Sequence, residues 1–263
     1  MPQRVRFSLN RFAEPTLPDG SPQVRYGVLE GDALFETRTP SSEDKGAAYR
    51  MKDVRLLPPC WPSKIVGIGR NYREHASELG NPLPPEPLIF LKPPSSLVAH
   101  GDNIIYPTIS ARVDYEGELG VVIGKRARLV RPQEAESYIL GYTCVNDVTA
   151  RDLQRRDGQF TRGKGFDTFC PVGPWIVPRQ EVQFERLRIR TLVNGQLKQD
   201  APVQEMIFPV GAIIAFVTQF MTLEPWDLIA TGTPAGVGPL EPGDVVRVEI
   251  EGIGVLENKV VRG

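Results

Sequence analysis

The segment Val113-Asp114-Tyr115-Glu116-Gly117-Glu118-Leu119-Gly120-Val121-Val122-Ile123-Gly124 begins with alternating acids and runs into apolar, β-branched residues. That pattern predicts a strand. Residues two apart on a strand share a face, so Asp114, Glu116 and Glu118 should project together. Adjacent carboxylates repel unless a cation neutralises them, and hard divalent ions prefer oxygen ligands. A solvated polar strand face is the simpler explanation of a bare Glu-x-Glu.

A second acidic strand end shifts that balance. Tyr138 to Val145 is apolar and strand-like, and Asp147 falls where the strand should stop. Asp is disfavoured within strands and favoured at turns and helix starts. Asp147 could simply cap a helix predicted over 149–156. A cap would not explain the carboxylate pair nearby. Three acidic oxygens from two strands, Glu116, Glu118 and Asp147, suit magnesium or manganese, with other positions open to water and substrate.

Composition sets the frame. The chain has 263 residues, 41% hydrophobic, with 25 Gly and 25 Pro, enough apolar mass for a large core and many tight turns. A net charge of −1 provides no field to attract nucleic acid or anionic lipid. Arg186, Arg188 and Arg190 alternate with apolar residues, as one strand face does. Three cysteines, Cys60, Cys144 and Cys170, are too few and too irregularly spaced for a disulfide framework or zinc site. No apolar run reaches membrane-spanning length, and no leader core is visible. A soluble, cytoplasmic protein is expected.

Residues 1–60 read as a small β-rich N-terminal domain. Arg4–Leu9 and Gln23–Leu29 should pair as a hairpin through Pro18-Asp19-Gly20, and Asp53–Leu57 repeats the alternation. Pro58-Pro59-Cys60-Trp61-Pro62 marks the boundary with residues 61–263. Strands dominate from there. Lys64–Gly69 is apolar, but its glycines lack the third member of a dinucleotide loop, where Tyr72 stands. Asn194-Gly195 ends a strand over 187–194 in a hairpin, and 245–251 with 254–261 form another. Helices are few: 71–79, 132–137, 149–156 and 209–219. The lack of a regular βαβ rhythm argues against a doubly wound parallel sheet and favours sheets rolled into a barrel or sandwich. The fold class is mainly β (α+β).

His75 and Glu78, three apart on the first helix, share a face, so the carboxylate can orient the imidazole as a general base. Gly69 and Gly80 flank that helix and make it a plausible hinged lid. An exposed polar helix is the bland alternative. Lys164 sits between Gly163 and Gly165, where backbone can approach a ligand, and its ammonium could stabilise a developing enolate; a solvated loop lysine fits as well. Arg151 either forks onto a substrate carboxylate or pairs with Asp147 or Asp114 to orient the ligands. Gln154 lies on the same helix. Thr231 and Thr233, in a Gly-rich turn, could donate to the same substrate carboxylate. Tyr142 and Phe166 belong either to the pocket wall or to the core. His100 is expected to be structural.

Five motifs occur in one order: Gly69-Arg70-Asn71-Tyr72 with His75 and Glu78; Phe90-Leu91-Lys92-Pro93; Asp114–Leu119; Asn146–Asp152; and Thr231-Gly232-Thr233-Pro234 with Gly236-Val237-Gly238. Together they resemble the fumarylacetoacetate hydrolase family, from about Trp61 to the C-terminus. The resemblance implies a mixed β-sandwich roll, a catalytic dyad at His75 and Glu78, a catalytic Lys164 and a homodimer. It also implies a magnesium- or manganese-dependent enzyme of 2-oxo acids, working through an enolate stabilised beside the ion. Diketo acid C–C hydrolysis, oxaloacetate-type decarboxylation and 2-hydroxy-diene-dioate isomerisation, as in aromatic catabolism, all fit that chemistry. The competing expectation is a β-sandwich binding module with a structural cation and no catalysis.

Overall fold

A computed structural model of the chain describes residues 2–9, 23–40, 42, 44–78, 80 and 82–263. Among the described residues, two larger sheets and one small sheet carry the architecture. The first is mixed and has 12 strands. Its central run is Cys170–Pro178, Ile139–Asn146, Gly117–Ile123, Leu228–Ala230, Ile65–Gly69 and Leu88–Lys92. The second orders Gln196–Pro202, Arg188–Val193, Val245–Ile250, Gly254–Arg262 and Asn103–Tyr106. Leu119, Val121 and Ile123 of the first meet Ile189, Val248, Ile250 and Leu256 of the second in one apolar core. Gly117 of the first sheet faces Thr191 and Val248 of the second. A Cβ there would come within 2.1 Å of Thr191 Oγ1, so only glycine fits.

The N-terminal strands behave as their alternation predicts. Gln3–Leu9 pairs antiparallel with Arg25–Glu30 and with Val54–Leu57, around a separate cluster of Val5, Phe7, Leu29 and Leu34. They reach the central run through Arg4 opposite Ile176. The expected Pro18-Asp19-Gly20 turn lies outside the described residues. The hairpins at 187–194 and 245–261 form as expected, and Asn194 adopts the left-handed conformation a tight turn requires.

Two local expectations are corrected. Thr149 and Ala150 are not helical. They pair with Val113 and Asp114 in the small sheet, and the helix begins at Arg151 with no side-chain cap, so Asp147 does not cap it. Lys164 is not on an open loop. It ends a one-turn helix, Phe160–Lys164, and is buried. Glycine at 163 hid this helix from propensity but is required by it, since a Cβ would meet Gln154 at 2.8 Å.

Candidate active site

Glu116 stands where the chain leaves one sheet and enters another. Val113–Tyr115 belongs to the small sheet and Gly117–Ile123 to the large one. Strand alternation therefore does not carry across Glu116. Asp114 consequently points elsewhere than expected, taking Arg112 Nε and Arg151 Nε at 2.8 Å each. Glu116 and Glu118 do converge. Their strand pairs antiparallel with Ile139–Asn146, Gly117 opposite Asn146. The Asp147 N–H donates to the Glu116 carbonyl at 2.8 Å, and the Glu116 N–H donates to Asn146 Oδ1 at 3.0 Å. These bonds bring Asp147 beside the pair. Ligand oxygens of Glu116, Glu118 and Asp147 lie within 4.8 Å of one another, all three residues buried.

Cations brace two of the three acids. Glu116 accepts from Lys164 Nζ at 2.6 Å and from Arg151; Asp147 accepts from Lys92 Nζ at 2.5 Å and from Lys164. Burial works against the charge on Glu116, but Lys164 and Arg151 outweigh it and hold the carboxyl well below its ordinary value. Glu118 goes the other way. Burial, then the charges of Asp147 and Glu116, push it well above 4.5. Its bond is to the Gly232 N–H at 2.8 Å. Gly232 has φ +100°, open to glycine, and a Cβ there would strike Asn71 at 2.6 Å. Asn71 bolts this turn down, donating to the Thr231 carbonyl at 2.7 Å and accepting from the Phe208 N–H at 2.8 Å.

The three acids open into a cavity of about 280 Å³, lined also by Arg70, His75, Phe90, Arg151, Gln154, Arg155, Phe160, Lys164 and Thr233. His75 lies on the short helix Arg73–Glu78. Its Nδ1 is 3.5 Å from Glu78 Oε2 and makes no hydrogen bond. Glu78 instead accepts the Gly236 N–H at 3.1 and 3.2 Å. Burial lowers the imidazole pKa, offset in part by the Glu116 charge, and favours the neutral base. Phe90 and Phe160 meet edge-on at 5.5 Å, and the Lys164 ammonium lies 5.0 Å from the Phe90 ring.

Arg151 uses its donors on Asp114, Glu116 and Gln154. Thr231 Oγ1 donates to the Leu119 carbonyl and Thr233 Oγ1 to the Gly117 carbonyl, each at 2.9 Å. Only Thr233 of the two lines the cavity. Tyr142 and Phe166 are absent from its wall; Tyr142 packs against Phe184 and Phe166 against Phe169. Arg70 and Arg155 also line the cavity, and neither side chain has an ion pair or hydrogen bond among the described residues. In sequence Arg70 stands within the Gly69-Arg70-Asn71-Tyr72 motif without a role of its own; it follows Gly69 at a strand end, where it takes φ +56°.

Comparison with known proteins places this geometry. The family profile described as fumarylacetoacetate (FAA) hydrolase C-terminal matches residues 64–261. Oxaloacetate tautomerase YisK of Bacillus subtilis is 42% identical over 254 residues, covering 89% of this chain and 84% of that protein. The crystal structure of 2-hydroxyhepta-2,4-diene-1,7-dioate isomerase from Mycobacterium marinum superposes with TM-score 0.87 at 43% identity, covering 100% and 99% of the two chains. Maleylpyruvate hydrolase from Sphingobium sp. SYK-6, solved with manganese (II) ion and pyruvate, superposes with TM-score 0.80 at 30% identity, covering 99% of each chain.

Proposed function

The chain belongs to the fumarylacetoacetate hydrolase family of enzymes, and on that premise we propose that it moves a proton at the carbon beside the keto group of a 2-oxo acid. One observation carries this reading: three buried carboxylates share a point facing a cavity that also contains a neutral imidazole and an ammonium. The donor set fits a hard divalent cation. It is all carboxylate oxygen, and Glu118 is a buried acid that only a cation can keep ionised without cost. Glu116, Glu118 and Asp147 would hold magnesium or manganese, and the ion would polarise the keto oxygen and make the acid an electron sink.

The chain's own groups supply the rest. His75, neutral and facing the cavity, takes the proton from the carbon or from a water. Lys164 presents its ammonium to the oxygen on which negative charge develops. Glu78 orients His75 when the Arg73–Glu78 helix closes as a lid. Arg151, with three of its five N–H groups engaged, positions Glu116, and Gln154 holds Arg151. Substrate carboxylate passes to the free guanidiniums of Arg70 and Arg155, with Thr231 and Thr233 fixing the turn beneath. A binding module with a structural cation would still use Lys164 to brace Glu116 and Asp147, but it gives the His75 imidazole at the cavity wall nothing to do.

An enolate of the 2-oxo acid is common to tautomerisation, isomerisation and C–C hydrolysis, the activities in the relatives' names; in the first two His75 moves a proton at carbon, and in the third it takes one from the attacking water. Oxaloacetate is the first substrate to assay, since a tautomerase of that acid is 42% identical. This reading includes a homodimer in the cytoplasm. Among the described residues, no helix is long and apolar enough to cross a membrane. Keto–enol interconversion of oxaloacetate and cleavage of acylpyruvates should be followed with magnesium or manganese, with and without chelator. Glu116→Ala should abolish turnover; undiminished turnover in that variant contradicts the assignment.

A further inference from the structure

Lys92 ends the strand Leu88–Lys92, and its side chain is 0% exposed. Its ammonium donates to Asp147 Oδ1 at 2.5 Å and to the Val148 carbonyl at 3.3 Å. It does not line the cavity, so it cannot touch a substrate. Burying an ammonium costs several kcal/mol that its partners must offset. A neutral side chain would fill the space without that cost. The position therefore calls for a charge, and the charge acts through Asp147.

Around the triad, Asp114, Glu116 and Asp147 are ion-paired with Lys92, Arg112, Arg151 and Lys164, Glu118 adds a fourth carboxyl without a cationic partner, and Arg70 and Arg155 add positive charge at the cavity wall. A divalent ion placed among them leaves an excess positive charge. A 2-oxo acid in its keto form brings one negative charge there, and its enolate brings two. A positive excess of this kind favours the enolate over the ground state, which is the difference that accelerates a reaction.

We propose that Lys92 is a positioning residue that offsets the charge of Asp147, so that an ion held by the triad keeps its positive charge for a dianionic ligand. The proposal rests on the metal-dependent reading of the site. Removing Lys92 leaves the surroundings one charge more negative. The ion is then bound more tightly and the dianion more weakly. If Lys92 only held Asp147 in place, its loss would weaken both.

The test is calorimetric. Metal-free protein is titrated with manganese, and the manganese-loaded protein is then titrated with oxalate, a two-oxygen dianion. In K92M, manganese affinity should rise at least about tenfold and oxalate affinity should fall at least about tenfold. K92R keeps the charge and should leave each within about threefold. Affinities that fall together in K92M, that do not change, or that shift equally in K92R overturn the proposal. If K92M does not fold, K92Q takes its place in both titrations; failure of both to fold assigns the ammonium to folding and overturns it as well. Wild-type protein that binds no manganese would instead refute the metal-dependent reading itself.

Discussion

Glu118 accepts the backbone N–H of Gly232 at 2.8 Å and, unlike Glu116 and Asp147, takes no cationic partner among the described residues. A carboxyl so placed binds its proton more tightly in the folded chain than in the unfolded one. In the metal-free protein the contribution of Glu118 to stability should therefore fall as pH rises above 4.5, the ordinary value of the group. Glu118→Gln should remove that loss. It should also remove the rise in Tm that manganese gives wild-type protein. Thermal melts across pH, with and without manganese, check both effects; a manganese shift that survives in the variant contradicts the role.

His75 and Glu78 make separate predictions. With Nδ1 at 3.5 Å from Glu78, the imidazole is aligned only loosely, and the Gly236 N–H competes for that carboxylate. His75→Gln should slow tautomerisation and C–C hydrolysis about 10²- to 10⁴-fold, the range for a lost general base. Decarboxylation requires no proton abstraction and should change by less than about tenfold. Glu78→Gln should cost less than His75→Gln in every assay. Parallel assays on oxaloacetate and an acylpyruvate read this out, and equal losses in all reactions would rule against His75 as the base.

Lys164 donates to Glu116 and to Asp147 while facing the cavity. Lys164→Met should lower kcat about 10²- to 10³-fold, as the loss of one donor to a developing oxyanion does. KM should move far less. Steady-state kinetics at saturating manganese give the split; a change confined to KM would make Lys164 a ground-state contact.

His100 controls stability away from the site. Its Nδ1 accepts the Glu257 N–H at 3.1 Å, and burial lowers its pKa below 6.5. The unfolded chain therefore takes up the proton first as pH falls. The contribution is complete above about pH 6.5 and is lost as pH falls through the window below it. Tm plotted against pH should flatten over that window in His100→Asn. An unchanged slope would assign the acid sensitivity elsewhere.

The β-rich class, the hairpins and the acidic triad were legible because each follows from local pattern: alternation, Asn-Gly turns, and acids at strand ends. Asp114 was misread because alternation holds within one strand, and the chain changes sheets at Glu116. Thr149 and Ala150 were read as helix because their pairing with Val113 and Asp114 is long-range and leaves no local trace. Lys92 and Arg70 stand inside two of the motifs that carry the family resemblance, but neither motif names the carboxylate or cavity that the side chain meets in the fold, and Arg155 lies in no motif. Thr231 and Thr233 were expected to donate to a substrate carboxylate; their hydroxyls donate instead to the Leu119 and Gly117 carbonyls, partners set by the register of Gly117–Ile123 against the turn.

The central claim is that Glu116, Glu118 and Asp147 hold one divalent ion. An anomalous difference map from crystals of the manganese-loaded protein tests it most directly. The account predicts one peak per chain, about 2.0–2.4 Å from a carboxylate oxygen of each of the three residues. No peak between them, in crystals of protein that shows manganese-dependent turnover, would contradict it.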